Sequence, residues 1–127
     1  LVRSRGLGDV YKRQISYFSV GNGGVDSANS HIPIAPQPTD IDLVSPIVLG
    51  LYPGGGYRKP ISAITKVDST TLLVTLEITA SDGGGVIPIS EAGLYLYNGS
   101  EFILYARTTF PTIWKRTRRV LYWYLFF

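Results

Sequence analysis

Residues 89 to 123 read ISEAGLYLYNGSEFILYARTTFPTIWKRTRRVLYW, and the fold of the chain turns on this stretch. Tyr95 and Tyr97 alternate with Leu94 and Leu96, the period-two pattern of a strand with two unlike faces. Asn98-Gly99-Ser100 then supplies residues that accept positive φ at little cost, and an apolar run from Phe102 to Tyr105 follows. The pattern predicts a β-hairpin. Pro111 lacks a ladder donor, so it is expected to end the second hairpin strand, with Phe110 and Ile113 plugging the end of a β core. The return strand, Val120 to Phe127, is apolar on both faces. It is expected to be either a central strand or one whose outer face meets another subunit.

The chain upstream repeats the same grammar. Thr70 to Ala80 (TTLLVTLEITA) places Leu72, Val74, Leu76 and Ile78 on one face and Thr71, Thr75, Glu77 and Thr79 on the other, as in an antiparallel sheet with one wet side. Ile15 to Val20 and, less regularly, Tyr57 to Val67 also read as strands. Glycine clusters at Gly21-Asn22-Gly23-Gly24, Gly54-Gly55-Gly56 and Gly83-Gly84-Gly85 break the strands, the last read as a flexible loop. Val25 to Pro46, with four prolines, is expected to cross the surface as an extended connection, with one short helical turn capped by Thr39 or Asp40. No 3.6-residue period is sustained anywhere. The fold class is therefore all-β, an antiparallel β-sandwich or small barrel with Gly/Pro-rich loops.

With 127 residues the chain makes one domain, residues 15–127, after a basic arm at residues 1–14. That arm, LVRSRGLGDVYKRQ, resembles a translated sequencing-adaptor read-through; the other reading is a flexible basic tail, and both keep it out of the fold. The formal net charge of +3 does not describe the body of the domain. Arg3, Arg5, Lys12 and Arg13 lie at one end and Lys115, Arg116, Arg118 and Arg119 at the other, while carboxylates outnumber cations between. A protein tracking phosphates needs cations spread over one face, so no nucleic-acid partner is expected. No apolar run is long enough for a membrane helix, and no membrane partner is expected. With no cysteine there is neither a disulfide framework nor a thiolate.

Chemistry-bearing residues are sparse. His31 is the only histidine and has no partner in sequence that would define a triad. Asp26, Asp40 and Asp42 lack the spacing of a calcium loop, and capping explains them. The glycines at 21–24 fit neither phosphate-binding motif. Glu91, beside Gly93, is expected to accept neighbouring N–H groups or to pair with Arg107 across the hairpin. Catalytic, cofactor and metal sites are all expected to be absent, so the chain is read as no enzyme. Trp114 and Trp123 are expected in core or interface positions ahead of a sugar platform.

Several motifs recur in one order: Phe18-Ser19-Val20-Gly21-Asn22-Gly23-Gly24, ISEAGLY at 89–95, ARTTFPTIWK at 106–115 and the aromatic strand Leu121 to Phe127. In that order they resemble a family of small bacteriophage structural proteins, associated with tail fibres, tail collars or baseplates. The chain departs from the family at Lys115 to Arg119, where small polar residues are commoner. The resemblance implies a non-enzymatic virion component, made in the host bacterial cytoplasm. It also implies a homo-oligomer, commonly a trimer, that docks to other tail or baseplate proteins. Glu91, Gly93, Tyr95, Arg107, Phe110, Pro111, Trp114, Trp123 and Tyr124 are the structural or interface candidates. The alternative is a carbohydrate-binding module reading host-surface glycan through Trp114, Tyr97 or Tyr105.

Overall fold

The computed structural model describes residues 15–26, 28–49 and 57–126. Among these residues nine strands follow in order: β1 (Ile15–Gly21), β2 (Val25–Asp26), β3 (Asn29–Pro33), β4 (Lys59–Pro60), β5 (Ala63–Asp68), β6 (Thr71–Ile78), β7 (Ile87–Tyr97), β8 (Phe102–Lys115) and β9 (Arg119–Phe126). Every pairing is antiparallel, so the chain is all-β. One sheet runs β4-β1-β7-β8 and a second runs β5-β6-β9, with β2-β3 as a separate hairpin. The reading of residues 1–14 as an arm and the Gly54-Gly55-Gly56 break lie outside the described residues.

Both sheets feed one core. Phe18 and Val20 from β1, Ile89 and Leu94 from β7, and Leu72, Val74, Leu76 and Ile78 from β6 are wholly buried and belong to a single cluster. The alternation in Thr70 to Ala80 thus aims its apolar face inward. Each of those side chains contributes about 1.5–3 kcal/mol by leaving water. Leu125 and the partly buried Leu121 and Trp123 add the inner face of β9.

The central hairpin forms as the sequence requires. Tyr97 pairs with Phe102, and Gly99 takes φ +99 in the turn, a conformation that side chains with a Cβ resist. Asn98 Oδ1 accepts the Ser100 and Glu101 N–H groups, closing the turn. Pro111 is a correction: β8 continues past it to Lys115. Ile89 pairs with Ile113 but Glu91 with Thr109, so the residues around Pro111 form a bulge in which no ladder donor is required. In addition β8 pairs only with β7 in its sheet, a position where proline is tolerated.

Four further expectations change. Within Val25 to Pro46 the chain does not simply extend, because β2 and β3 form a hairpin, and Leu43 is buried. No helix forms at residues 39–43; Asp40 instead accepts the Gln37 N–H in a turn. Residues 82–85 are not a loose loop either. Asp82–Gly84 makes a short 3-10 turn, Asp82 is buried, and Gly83, Gly84 and Gly85 all take positive φ. Finally, β9 is not a central strand covered on both sides: Tyr122, Tyr124 and Phe126 are 65, 50 and 70 % exposed.

Candidate functional site

Three polar knots and one bare aromatic face hold the candidates. The first knot is centred on Glu91, which β7 carries into the interior at 0 % exposure. Its Oε2 accepts N–H groups from Gly23 at 2.9 Å and Ser45 at 2.8 Å. Its Oε1 accepts the Val44 N–H at 2.9 Å and Arg107 Nε at 3.0 Å. Arg107 reaches on to Asp40 at 2.9 Å, whose carboxyl is held below the usual range first by the Gln37 N–H and then by Arg107. The glycines upstream make this approach possible. A Cβ on Gly21 or Gly23 would lie 2.5 or 2.8 Å from Glu91 Oε2. They cradle a carboxylate of the chain itself, and Ser90 Oγ accepts the Gly24 N–H beside it. Each Glu91 oxygen is taken twice, so the carboxylate serves to tie β7, β8, the glycine turn and residues 44–45 together.

Tyr95 stands in the second knot. Its hydroxyl and that of Tyr57 both donate to Asp42, and the Arg58 guanidinium lies over the rings of Tyr57, Tyr95 and Phe102 at 4.3, 4.5 and 4.6 Å. Burial, then the hydrogen bond to Asp42, pushes the Tyr57 phenol up to about 12; the same causes push Tyr95 higher still. Gly93 lies on the same strand, where a Cβ would meet Leu43 and Leu104 at 3.0 Å.

The third knot surrounds Lys115, which was not among the sequence candidates. It is fully buried and donates to the carbonyls of Thr79, Ala80 and Asp82 at 3.0, 2.8 and 2.7 Å. Burial pulls its ammonium below the usual lysine value, with the Asp82 charge opposing. Lys59 pairs with Asp82 at 2.6 Å, so two lysines hold one turn. The only sequence signal was a lysine that ends a β run opposite a glycine cluster, and that signal is ambiguous without the fold.

The remaining candidates lie around β8 and β9. Phe110 and Ile113 of β8 and Leu121 and Trp123 of β9 line a cleft of about 340 Å³ that reaches Leu76 and Ala92. Trp123 packs against the core, whereas Trp114 is 49 % exposed with the Arg116 guanidinium 6.0 Å from its ring. The two tryptophans therefore do not share a surface. Tyr124 and Phe126 stack at 6.4 Å on the outer face of β9, followed by Tyr122. Pro111, in β8, is exposed. Tyr97 stacks on Phe102 at 4.5 Å near the hairpin turn, away from this face.

Two of the sequence expectations thus meet in space: Glu91 both accepts N–H groups and pairs with Arg107. Glu91, Gly93 and Tyr95 are buried, and their work is internal. Among the described residues no group of three or more His, Cys, Asp or Glu side chains is placed to hold a metal ion. No described helix is long and apolar enough to cross a membrane. No family model matches the chain, and no curated protein matches it either.

Proposed function

We propose that the chain is a non-enzymatic structural component of a bacteriophage virion, associated with the tail fibre or baseplate. It works by assembling with itself and docking to neighbouring tail proteins. One observation carries the reading: the outer face of β9 presents Tyr122, Tyr124 and Phe126 to solvent in a row. Rings with a polar edge suit an interface, where the ring is covered and the hydroxyl stays wet. The buried polar groups of Glu91 and Lys115, by contrast, hold turns and loops. The ordered motifs at residues 18–24, 89–95 and 106–115 resemble those of small phage tail proteins, and that resemblance, more than any residue of the chain, implies a trimer.

Sedimentation of the full chain over a range of concentrations tests the assembly. A defined oligomer is expected, and a chain that stays monomeric at high concentration overturns the reading. A second reading, a glycan-binding module, draws on the half-exposed Trp114. A glycan-array signal that Trp114→Ala abolishes would put it first.

A further inference from the structure

The chain contains the dipeptide Asn-Gly twice, at Asn22-Gly23 and at Asn98-Gly99. An asparagine amide is thermally labile, and a following glycine leaves its backbone nitrogen accessible because it carries no Cβ. Exposure does not separate the two pairs, since Asn22 and Asn98 are both exposed. Their backbones are held differently. Gly23 donates its N–H to Glu91 Oε2 at 2.9 Å, while Asn22 donates to the Ser45 carbonyl at 3.0 Å and Gly24 to Ser90 Oγ at 2.9 Å. For the Gly23 nitrogen to turn onto the Asn22 side chain it must leave a buried carboxylate, in a place so tight that a Cβ on Gly23 would lie 2.8 Å from the same oxygen. Nothing of the kind restrains the other pair. Gly99 is exposed in the hairpin turn at φ +99, its N–H has no hydrogen-bond partner among the described residues, and a Cβ there would meet nothing within 4 Å. The side chain beside it is the part that is held. Asn98 Oδ1 accepts the Ser100 N–H and the Ser100 hydroxyl, both at 3.0 Å, and the Glu101 N–H at 2.9 Å.

We infer that Asn98 is a site of spontaneous deamidation, driven by attack of the Gly99 backbone nitrogen on the Asn98 side-chain carbonyl, and that the same dipeptide at Asn22 is locked by Glu91. The Gly99 nitrogen gives its proton to solvent base and bonds to Cγ of Asn98; the bond from Cγ to the amide nitrogen breaks, and ammonia leaves after taking up a proton. The product is a cyclic succinimide. Water then opens it at either carbonyl, giving aspartate, or isoaspartate in which the backbone runs through the side chain. Asparagine and water are consumed, and an acid and ammonia are released. Negative charge gathers on Oδ1 as the new bond forms, and the three donors already aimed at that oxygen stabilise it in the manner of an oxyanion hole. The hairpin tip thereby gains a carboxylate near Glu101. In the isoaspartate form it also gains a backbone atom in the turn that sets Tyr97 against Phe102. The chemistry belongs to a single chain and is independent of the assembly reading.

Incubation of the full chain in mildly alkaline buffer, followed by peptide mass spectrometry with isoaspartate detection, reads each asparagine separately. In the folded chain Asn98 is expected to convert roughly tenfold faster than Asn22 or more, with isoaspartate among its products, because Asn22 must first break a charge-assisted hydrogen bond. In denaturant the two rates should converge, since the dipeptide is the same. Ser100→Ala, an exposed change that removes one donor to Oδ1, should slow Asn98 by roughly two- to tenfold and leave Asn22 as it was. Equal rates at Asn22 and Asn98 in the folded chain, or an Asn98 no faster than Asn29, which precedes a serine, overturn the assignment. A Ser100→Ala rate that is unchanged or raised overturns the part given to the Oδ1 donors.

Discussion

Glu91 and Tyr124 sit on neighbouring parts of one small β fold and are treated in opposite ways. At Glu91 a charge has been taken fully out of water and given a partner for every lone pair in use. At Tyr124 a ring that would stabilise a core is left half in solvent, in a row with Tyr122 and Phe126. The contrast separates stability from assembly. A buried carboxylate costs several kcal/mol to desolvate and is tolerated only with complete pairing, so its job is to fix loops that have few apolar anchors. An exposed aromatic row does little for a lone domain, and its value comes when another surface covers it.

The largest effect should come from breaking the buried side of that contrast. Glu91→Ala leaves Arg107 without its interior partner and strips acceptors from Gly23, Val44 and Ser45. A loss of about 3–5 kcal/mol in unfolding free energy is expected, read from urea melts. An unchanged midpoint would mean that the knot adds nothing to stability. Lys115→Met keeps the stem but removes the donor from three carbonyls, that of Asp82 buried and those of Thr79 and Ala80 partly so, and about 2 kcal/mol should be lost in the same assay.

A smaller effect is expected from alkali, and its sign follows from the tyrosines. Tyr57 and Tyr95 hold their protons in the fold above the ordinary value of 10.0, where the unfolded chain releases them. Stability should therefore fall as the pH rises from 10 towards 12, and Tyr57→Phe should flatten that fall. Lys115 acts in the opposite sense below its ordinary value of 10.5, because the unfolded chain binds the proton more readily there. Melting temperatures followed from pH 8 to 12 in both variants separate the two. The smallest effect belongs to the exposed side. Tyr122→Thr should change monomer stability by about 0.5 kcal/mol or less, checked by urea melts at low concentration. If it destabilises as much as Lys115→Met, the outer face belongs to the fold and the contrast fails.

Much of the site was legible because its determinants are local or one strand away. The Glu91–Arg107 pair could be anticipated from a hairpin that places both near each other across one turn. Pro111 misled because a proline reads as a strand end, whereas a bulge at the sheet edge absorbs it. Lys115 was missed because its three acceptors lie 33 to 36 positions away and are backbone carbonyls, which no residue pattern marks. The same holds for Asp42, which meets Tyr95 across 53 positions.

The sequence by itself determined the antiparallel β class, the hairpin turn at Gly99 and the inward face of β6. Alternation and turn chemistry act between neighbours, and the chain cannot satisfy them in another secondary structure. Only the tertiary structure decided which apolar strand would be covered. It sent the inner face of β9 into the core and left the outer face bare, because a strand apolar on both faces carries no local mark of the side on which a second layer will lie.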